Sequence, residues 1–303
     1  MPTPLATRLE AASQRLRTRA DLQVSRLRGR PVTERPFDMR DFLDGHAVFY
    51  AGTANVIMQL GWPAVGYGVH ESTVDSGNIM KVPRKRLRTT VTYLAVALLG
   101  TDAERDHLRG EINRQHRHVR STDQSPVKYN AFARDLQLWV GLCLAYGSRD
   151  FYEKLHGAVP AALSEPYVTH LGRLATSLQV PEEAWPRTEA AFDAAWAEGL
   201  AKVSYDDTLK AYLNDLLDLK QLSPEQQRRL GPFHRWINTG FLPPEIREAM
   251  DLTWTADDER RFQERVRRLG ARNRRVPRVV RNFPIGATLW DYRLRRLLRR
   301  PIV

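Results

Sequence analysis

The chain has 303 residues with an apolar content of 42%, enough to bury a sizeable core. Its single cysteine, Cys143, excludes a disulfide framework. The N-terminal residues lack the apolar segment of a secretory signal, so we expect a cytoplasmic protein. The net charge of +12 comes from residues 259–303, which hold 15 arginines and 3 acidic residues, because the rest of the chain is balanced.

Helical patterns follow one another from the N-terminus. Apolar residues at helical spacing predict an amphipathic, basic helix within a first segment, residues 1–31. The stretch TANVIMQLGWPAVGYGV predicts a helix interrupted at Gly61 and Pro63. RTTVTYLAVALLG predicts a buried helix whose C-cap is Gly100.

The next helix, TDAERDHLRGEINRQHRHV, begins with a capping-box pattern at Thr101 and Glu104 and is predicted to extend to Val119. DLQLWVGLCLAYGSRDFYEKL predicts a second buried helix. Further helices are predicted over 163–178, 185–201, 204–219 and 244–251. No alternating strand pattern exceeds a few residues, so the prediction is an all-α fold with a helical body at 32–258.

The arginine-rich C-terminal segment, 259–303, is predicted to pack on the same domain. Such a segment can contact nucleic acid or the surface of an anionic membrane. The alternative is a solvated arginine face with leucines and valines docked beneath it. Because the body is neutral and lacks a clear helix-turn-helix or aromatic stacking platform, we expect no nucleic-acid partner and keep peripheral membrane contact as the open possibility.

Two histidines, His116 and His118, lie two residues apart in INRQHRHVRS. Side chains two apart on a helix point about 200° from each other, so both cannot face one site. His116 borders the apolar stripe of Ile112 and Val119, so it should be the one that points inward, as a hydrogen-bonded core residue or as a ligand. The chain lacks a zinc-binding pattern, whereas a single histidine facing an apolar cavity is what haem ligation requires.

Arg86 and Thr90 are four residues apart and share one face of their predicted helix. A guanidinium and a hydroxyl at the mouth of an apolar pocket can bind a carboxylate or orient a polar ligand. Alternatively, the arginine extends to solvent and the threonine bonds to its own backbone.

His70 stands beside Glu71 in GVHESTVDSG, beyond the interrupted helix. A histidine next to a carboxylate on a loop can serve in acid–base chemistry, and it is equally ordinary in a turn. The chain has no Gly-x-Ser-x-Gly elbow, Walker loop or dinucleotide fingerprint, so these features favour no hydrolase, NTPase or Rossmann enzyme.

Four segments in this order resemble the MpaB oxygenase family, which is related to the latex-clearing proteins, or rubber oxygenases. The hallmark of that family is an Arg-x-x-x-Thr helix, a His-x-x-Val helix, a Tyr-x-Ala segment and a Trp-Val helix. The matching pairs here are Arg86 and Thr90, His116 and Val119, Tyr129 and Ala131, and Trp139 and Val140. The resemblance covers about residues 40–290.

This resemblance implies a multi-helix orthogonal bundle with a globin-like core that holds haem b. It implies that His116 is the proximal iron ligand and that Arg86 and Thr90 lie near the haem. His70 would lie toward the distal side, so the resemblance assigns catalytic roles to Thr90, Arg86 and His70.

The chain departs from its relatives at three positions. Rubber oxygenases carry a lysine where this chain has Thr89, so the resemblance implies an open or water-bound sixth iron site. Many members have a histidine where this chain has Gly141, and His118 is an additional histidine.

The expected function is therefore that of a haem b-dependent oxidoreductase, an oxygenase that uses dioxygen on a small, largely apolar substrate such as an alkene or isoprenoid, with an electron donor as a possible partner. Three alternatives stay open: a haem-dependent dehydrogenase or peroxide-using enzyme, a haem sensor or carrier without turnover, and a basic nucleic-acid-binding helical protein.

Overall fold

This computed structural model describes residues 31–74 and 78–302, and most of these residues are in helices. The α-helices are α1 (His46–Tyr50), α2 (Gly52–Leu60), α3 (Pro63–His70), α4 (Pro83–Leu99), α5 (Asp102–His116), α6 (Arg134–His156), α7 (Ala161–Leu171), α8 (Arg173–Thr176), α9 (Glu189–Leu200), α10 (Asp207–Leu217), α11 (Pro224–Phe241), α12 (Pro244–Ala249), α13 (Ala256–Asn273), α14 (Arg278–Arg281) and α15 (Ile285–Leu297). Within these two stretches there is no strand, only an isolated bridge between Arg120 and Asn130. The all-α prediction is confirmed, while the predicted helix at 5–27 lies outside the described residues.

The predicted helix ends around α4 and α5 are confirmed. Helix α4 ends at Leu99, and the N–H of its C-cap, Gly100, donates to the carbonyl of Val96. The Thr101 hydroxyl accepts from the N–H of Glu104, whose carboxylate accepts from the N–H of Thr101. This reciprocal capping box lets α5 start after only two intervening residues, Gly100 and Thr101.

Two sequence predictions differ from the structure. The predicted helix at 163–178 is divided at Gly172 into α7 and α8. Helix α11 was not predicted, because Gly231 and Pro232 in its interior are typical helix breakers. A capping box between Ser223 and Gln226 nevertheless starts this helix, and its buried C-terminal half packs against α2 and α13.

Helix α6 forms the centre of the core and contacts α2, α8, α9, α11 and α13. Its Trp139 is buried between the rings of Trp62 and Trp196, with centroid separations of 5.2 and 5.3 Å. Tyr146 continues the stack, 4.0 Å from Trp196. Such stacked rings combine a large buried apolar area with favourable ring geometry, so they fix the position of α6 against α2 and α9.

The C-terminal helices lie against this core. Helix α13 packs on α6, and α15 packs along α4. The Arg293 guanidinium donates two hydrogen bonds to the Glu104 carboxylate, at 2.7 and 3.2 Å, and so ties α15 to the start of α5. The predicted boundary at residue 259 falls inside α13, and the division into domains stays a prediction.

No helix in the described stretches is long and apolar enough to cross a membrane.

Two glycine substitutions should change stability in opposite directions. In Gly199→Ala, the new Cβ would lie 2.4 Å from Cζ3 of Trp139, a ring that its stacked neighbours hold, so we expect a loss of about 1–3 kcal/mol in the free energy of unfolding. In Gly110→Ala, the new Cβ would meet no atom within 4 Å, so reduced backbone entropy should stabilise α5 by about 0.5–1 kcal/mol. Urea denaturation measures both, and shifts of the same sign would contradict this packing.

Candidate functional site

A hydrogen-bonded junction follows α5 and fixes its end. Helix α5 stops at His116, three residues before the predicted end, because the chain turns and the N–H of Val119 donates to the carbonyl of His116 at 3.0 Å. The N–H of Ala131 then donates to the carbonyl of Val119 at 3.0 Å. The N–H of Ser121 donates to the carbonyl of Tyr129 at 2.9 Å. The His-x-x-Val and Tyr-x-Ala motifs are therefore joined by backbone hydrogen bonds.

The two histidines of this region have different environments. His116 is half-buried and His118 is exposed, as expected for their orientations. The Nδ1 atom of His116 is buried without a hydrogen-bond partner, and the ring of Phe132 lies edge-on to the imidazole at 6.2 Å. An unpartnered buried ring nitrogen is costly, and in a native protein it calls for an explanation such as a ligand or an ion.

Burial and, to a lesser extent, the nearby charge of Arg86 lower the pKa of His116 to about 4. The carboxyl end of a helix favours a protonated histidine, so burial outweighs the helix dipole here. His116 is therefore a neutral imidazole at physiological pH, which is the form that binds a metal.

Arg86 lies close enough to His116 for its charge to act on the imidazole. Its side chain is exposed, yet desolvation by the surrounding protein lowers its pKa. A side chain that keeps accessible surface while protein displaces most of its water lines a cleft or cavity wall. The carbonyl of Arg86 accepts hydrogen bonds from the hydroxyls of Thr89 and Thr90, at 3.0 and 2.9 Å. The Thr90 hydroxyl proton is thus engaged with the backbone, and its oxygen lone pairs face outward as acceptors.

Tyr212 on α10 connects Arg86 to His70. Burial raises the pKa of Tyr212, and the Arg86 charge acts in the opposite direction. The His70 ring meets the Tyr212 ring edge to face at 5.4 Å. His70 is exposed and is the last residue of α3, rather than part of a loop as predicted, so it can exchange protons with solvent.

Glu71 anchors the end of α3 to the junction. Its carboxylate accepts hydrogen bonds from the hydroxyls of Ser125 and Tyr129, each at 2.7 Å, and these bonds lower its pKa. Tyr129 also packs against the backbone of Gly68. Glu71 is thus ionised and held by hydroxyl donors, so it positions His70 rather than serving as its acid–base partner.

The structure places Arg86 within electrostatic reach of both His116 and Tyr212. Thr90 lies one helical turn after Arg86, and His70 contacts Tyr212. Sequence reasoning missed Tyr212 and Phe132. Tyr212 lies about a hundred residues from the motifs, and its pattern indicates only an amphipathic helix. Phe132 follows the Tyr-x-Ala motif, so its proximity to that motif was the one available signal.

The residues present fit a haem. Neutral His116 provides one imidazole ligand, and a haem supplies the other four nitrogens itself. In residues 31–74 and 78–302, no three His, Cys, Asp or Glu side chains come together as ligands for a bare metal ion. In most ligating histidines the second ring nitrogen donates to an acceptor, whereas the Nδ1 atom of His116 has no hydrogen-bond partner.

Comparison with known proteins identifies the family. Residues 39–274 match the model of the catalytic domain described as "ER-bound oxygenase mpaB/B'/Rubber oxygenase". The chain therefore belongs to the MpaB and rubber oxygenase family, which indicates an oxidoreductase of the oxygenase type.

Two relatives are similar over most of the chain. They are the uncharacterized protein Rv2237 of Mycobacterium tuberculosis and the uncharacterized protein Mb2261 of Mycobacterium bovis. Each is 44% identical over 250 residues, which cover 82% of this chain and 98% of the relative. No solved structure matches the chain.

The lowered pKa of His116 predicts a pH-dependent loss of stability in the protein without bound ligand. Between pH 6.5 and about 4, the unfolded chain binds a proton at His116 that the folded chain does not. The contribution of neutral His116 to the free energy of unfolding is therefore complete above pH 6.5 and is lost as the pH falls. When the pH is lowered from 7 to 5, the free energy of unfolding should therefore fall by about 1–2 kcal/mol less in His116→Gln than in the wild type.

Urea unfolding at the two pH values measures this difference. The half-buried histidines His170 and His234, whose pKa values are also lowered, are present in both proteins, so their contributions cancel. Equal losses in wild type and variant would show that His116 protonates freely in the folded protein.

Proposed function

We propose that this protein is a haem b-dependent oxygenase that uses dioxygen to oxidise a small, largely apolar substrate such as an alkene or isoprenoid. The observation that carries the proposal is His116: a neutral imidazole with a buried, unpartnered ring nitrogen, at the histidine position of an oxygenase family motif. In this proposal His116, close to Arg86 and Phe132, would belong to a globin-like haem-binding core.

His116 would hold the iron from the end of α5, where the junction limits its movement. Bound haem would supply the redox chemistry that activates dioxygen. Because the position before Thr90 is Thr89 rather than a lysine, no amine from this position competes for the open coordination site.

The polar side chains around Arg86 would orient the reactants and handle protons. Arg86 keeps its charge in the cleft and can bind an anionic or polar group. Tyr212 keeps its phenolic proton, since burial raises its pKa, and it can donate a hydrogen bond into the site. His70, at the surface beside Tyr212, can exchange that proton with water. Thr90 offers acceptor lone pairs.

The absorption spectrum tests haem binding. Wild-type protein expressed with haem supply should show a Soret band, and His116→Ala should lose it. His118→Ala is the matched control, because its side chain is exposed, and it should keep the band. A wild type without a Soret band after haem reconstitution would contradict the proposal. A haem protein without oxygen consumption on any alkene or isoprenoid would instead be a carrier or sensor.

The proposed role of Tyr212 predicts a separable defect. Tyr212→Phe should keep the haem content but reduce substrate-dependent oxygen consumption by about 10–100-fold, because it removes a positioned proton donor. Tyr50→Phe is the control, since Tyr50 packs against Phe233, outside this group of residues. Equal rates for Tyr212→Phe and wild type would exclude the phenol from the reaction.

A further inference from the structure

Helix α15 is apolar on two sides, and only one side is buried. Ile285, Leu289 and Tyr292 face the core, with exposed fractions of 5%, 3% and 0%. On the other side, Trp290 and Leu294 are 70% and 55% exposed. An ordinary surface helix carries a single apolar stripe toward the core, so the second stripe has no partner within the fold.

The exposed stripe belongs to a larger surface, which we call the C-terminal apolar surface. On α15 it has helical spacing from Ala287 through Trp290 to Leu294 and Leu297, and we include in it the exposed apolar side chains of α14 and of the residues just before and after α15. Its large members are Val279, Val280, Phe283, Trp290, Leu294, Leu297 and Leu298, each between 50% and 83% exposed. These seven are most of the large exposed apolar side chains among the described residues. One interpretation of the sequence expected the leucines and valines of this segment to pack beneath the arginines. Those of the C-terminal apolar surface are instead exposed.

Arginines flank this surface and are free to bind an anion. Arg274, Arg275, Arg299 and Arg300 are exposed, and none forms an ion pair with a described residue. Trp290 is also held in place, because the guanidinium of Arg293 lies over its ring at 5.3 Å. The surface thus combines an exposed tryptophan, aliphatic side chains and unpaired arginines.

We propose that the C-terminal apolar surface docks on an anionic phospholipid bilayer. Aliphatic and tryptophan side chains enter the boundary between headgroups and acyl chains, while arginines bind lipid phosphates at the same depth. A nucleic acid would satisfy the arginines but leave the leucines and valines in water. The N-terminal residues 1–30 carry seven arginines and two acidic residues, so their charge has the same sign and does not complement this surface. The same repulsion opposes a second copy of the chain.

Docking would bring the bilayer close to the candidate site. Helix α15 packs along α4, the helix that carries Arg86, and the Arg88 guanidinium donates to the carbonyl of Ile302 at 3.2 Å. A largely apolar substrate could then enter from the lipid phase without crossing water. This consequence rests on the proposed function, whereas the docking itself does not.

Co-sedimentation with lipid vesicles tests the proposal on the full chain. We expect binding to vesicles of phosphatidylcholine with about one third phosphatidylglycerol, and much weaker binding to pure phosphatidylcholine. The double variant Leu294→Glu/Leu297→Glu should weaken binding by at least about tenfold, because it removes apolar area and adds repelling charge. Arg299→Gln/Arg300→Gln should weaken it and reduce its salt dependence.

Matched controls come from α11, where Leu230, Arg228 and Arg229 are also exposed. Leu230→Glu and Arg228→Gln/Arg229→Gln should leave vesicle binding unchanged. Circular dichroism and haem content, measured on every variant, separate a docking defect from a folding defect or a failure of the proposed function.

Three results would overturn the proposal. The first is no vesicle binding by the wild type. The second is binding that Leu294→Glu/Leu297→Glu leaves intact, which would indicate non-specific attraction of a basic protein. The third is equally tight binding to duplex DNA that the leucine variants do not weaken, which would indicate a nucleic-acid surface.

Discussion

The backbone hydrogen bonds between residues 119–121 and 129–131 are the constraint on which the candidate site depends. They end α5 at His116 and place Phe132 beside its imidazole. They also place Tyr129 where its hydroxyl binds Glu71 at the end of α3. One short junction therefore sets the position of the candidate ligand and of the neighbouring His70. Without it, α5 would continue into its charged C-terminal sequence and the histidine would have no fixed surroundings.

Desolvation gives this site its chemical character. The same crowding keeps the His116 imidazole neutral, lowers the pKa of the Arg86 guanidinium and keeps the Tyr212 phenol protonated. A neutral imidazole and a neutral phenol thus both lie within electrostatic reach of one guanidinium, in surroundings where electrostatic interactions are stronger than in water. A larger side chain would not fit at Gly141, because a Cβ there would lie 2.6 Å from the Cβ of Ala175.

Local signals in the sequence predicted local structure well. The C-cap at Gly100 and the capping box at Thr101 depend on residues a few positions apart, so spacing was enough to find them. The end of α5 depends on pairing with residues ten positions further along, and α11 persists through an interior proline because tertiary packing compensates. The role of Tyr212 beside Arg86 required the folded chain. The family motifs indicated candidate residues, whose roles stay predictions, and the structure shows that backbone hydrogen bonds join the His-x-x-Val and Tyr-x-Ala motifs.

In the proposed haem protein, His116 would be the one protein group that holds the iron. Resonance Raman spectroscopy of the ferrous protein detects the iron–histidine stretch of a five-coordinate haem directly. We expect this band in the wild type, its loss in His116→Gly, and its recovery when free imidazole enters the space that the side chain leaves. An iron–histidine band that persists in His116→Gly without imidazole would show that another residue is the ligand.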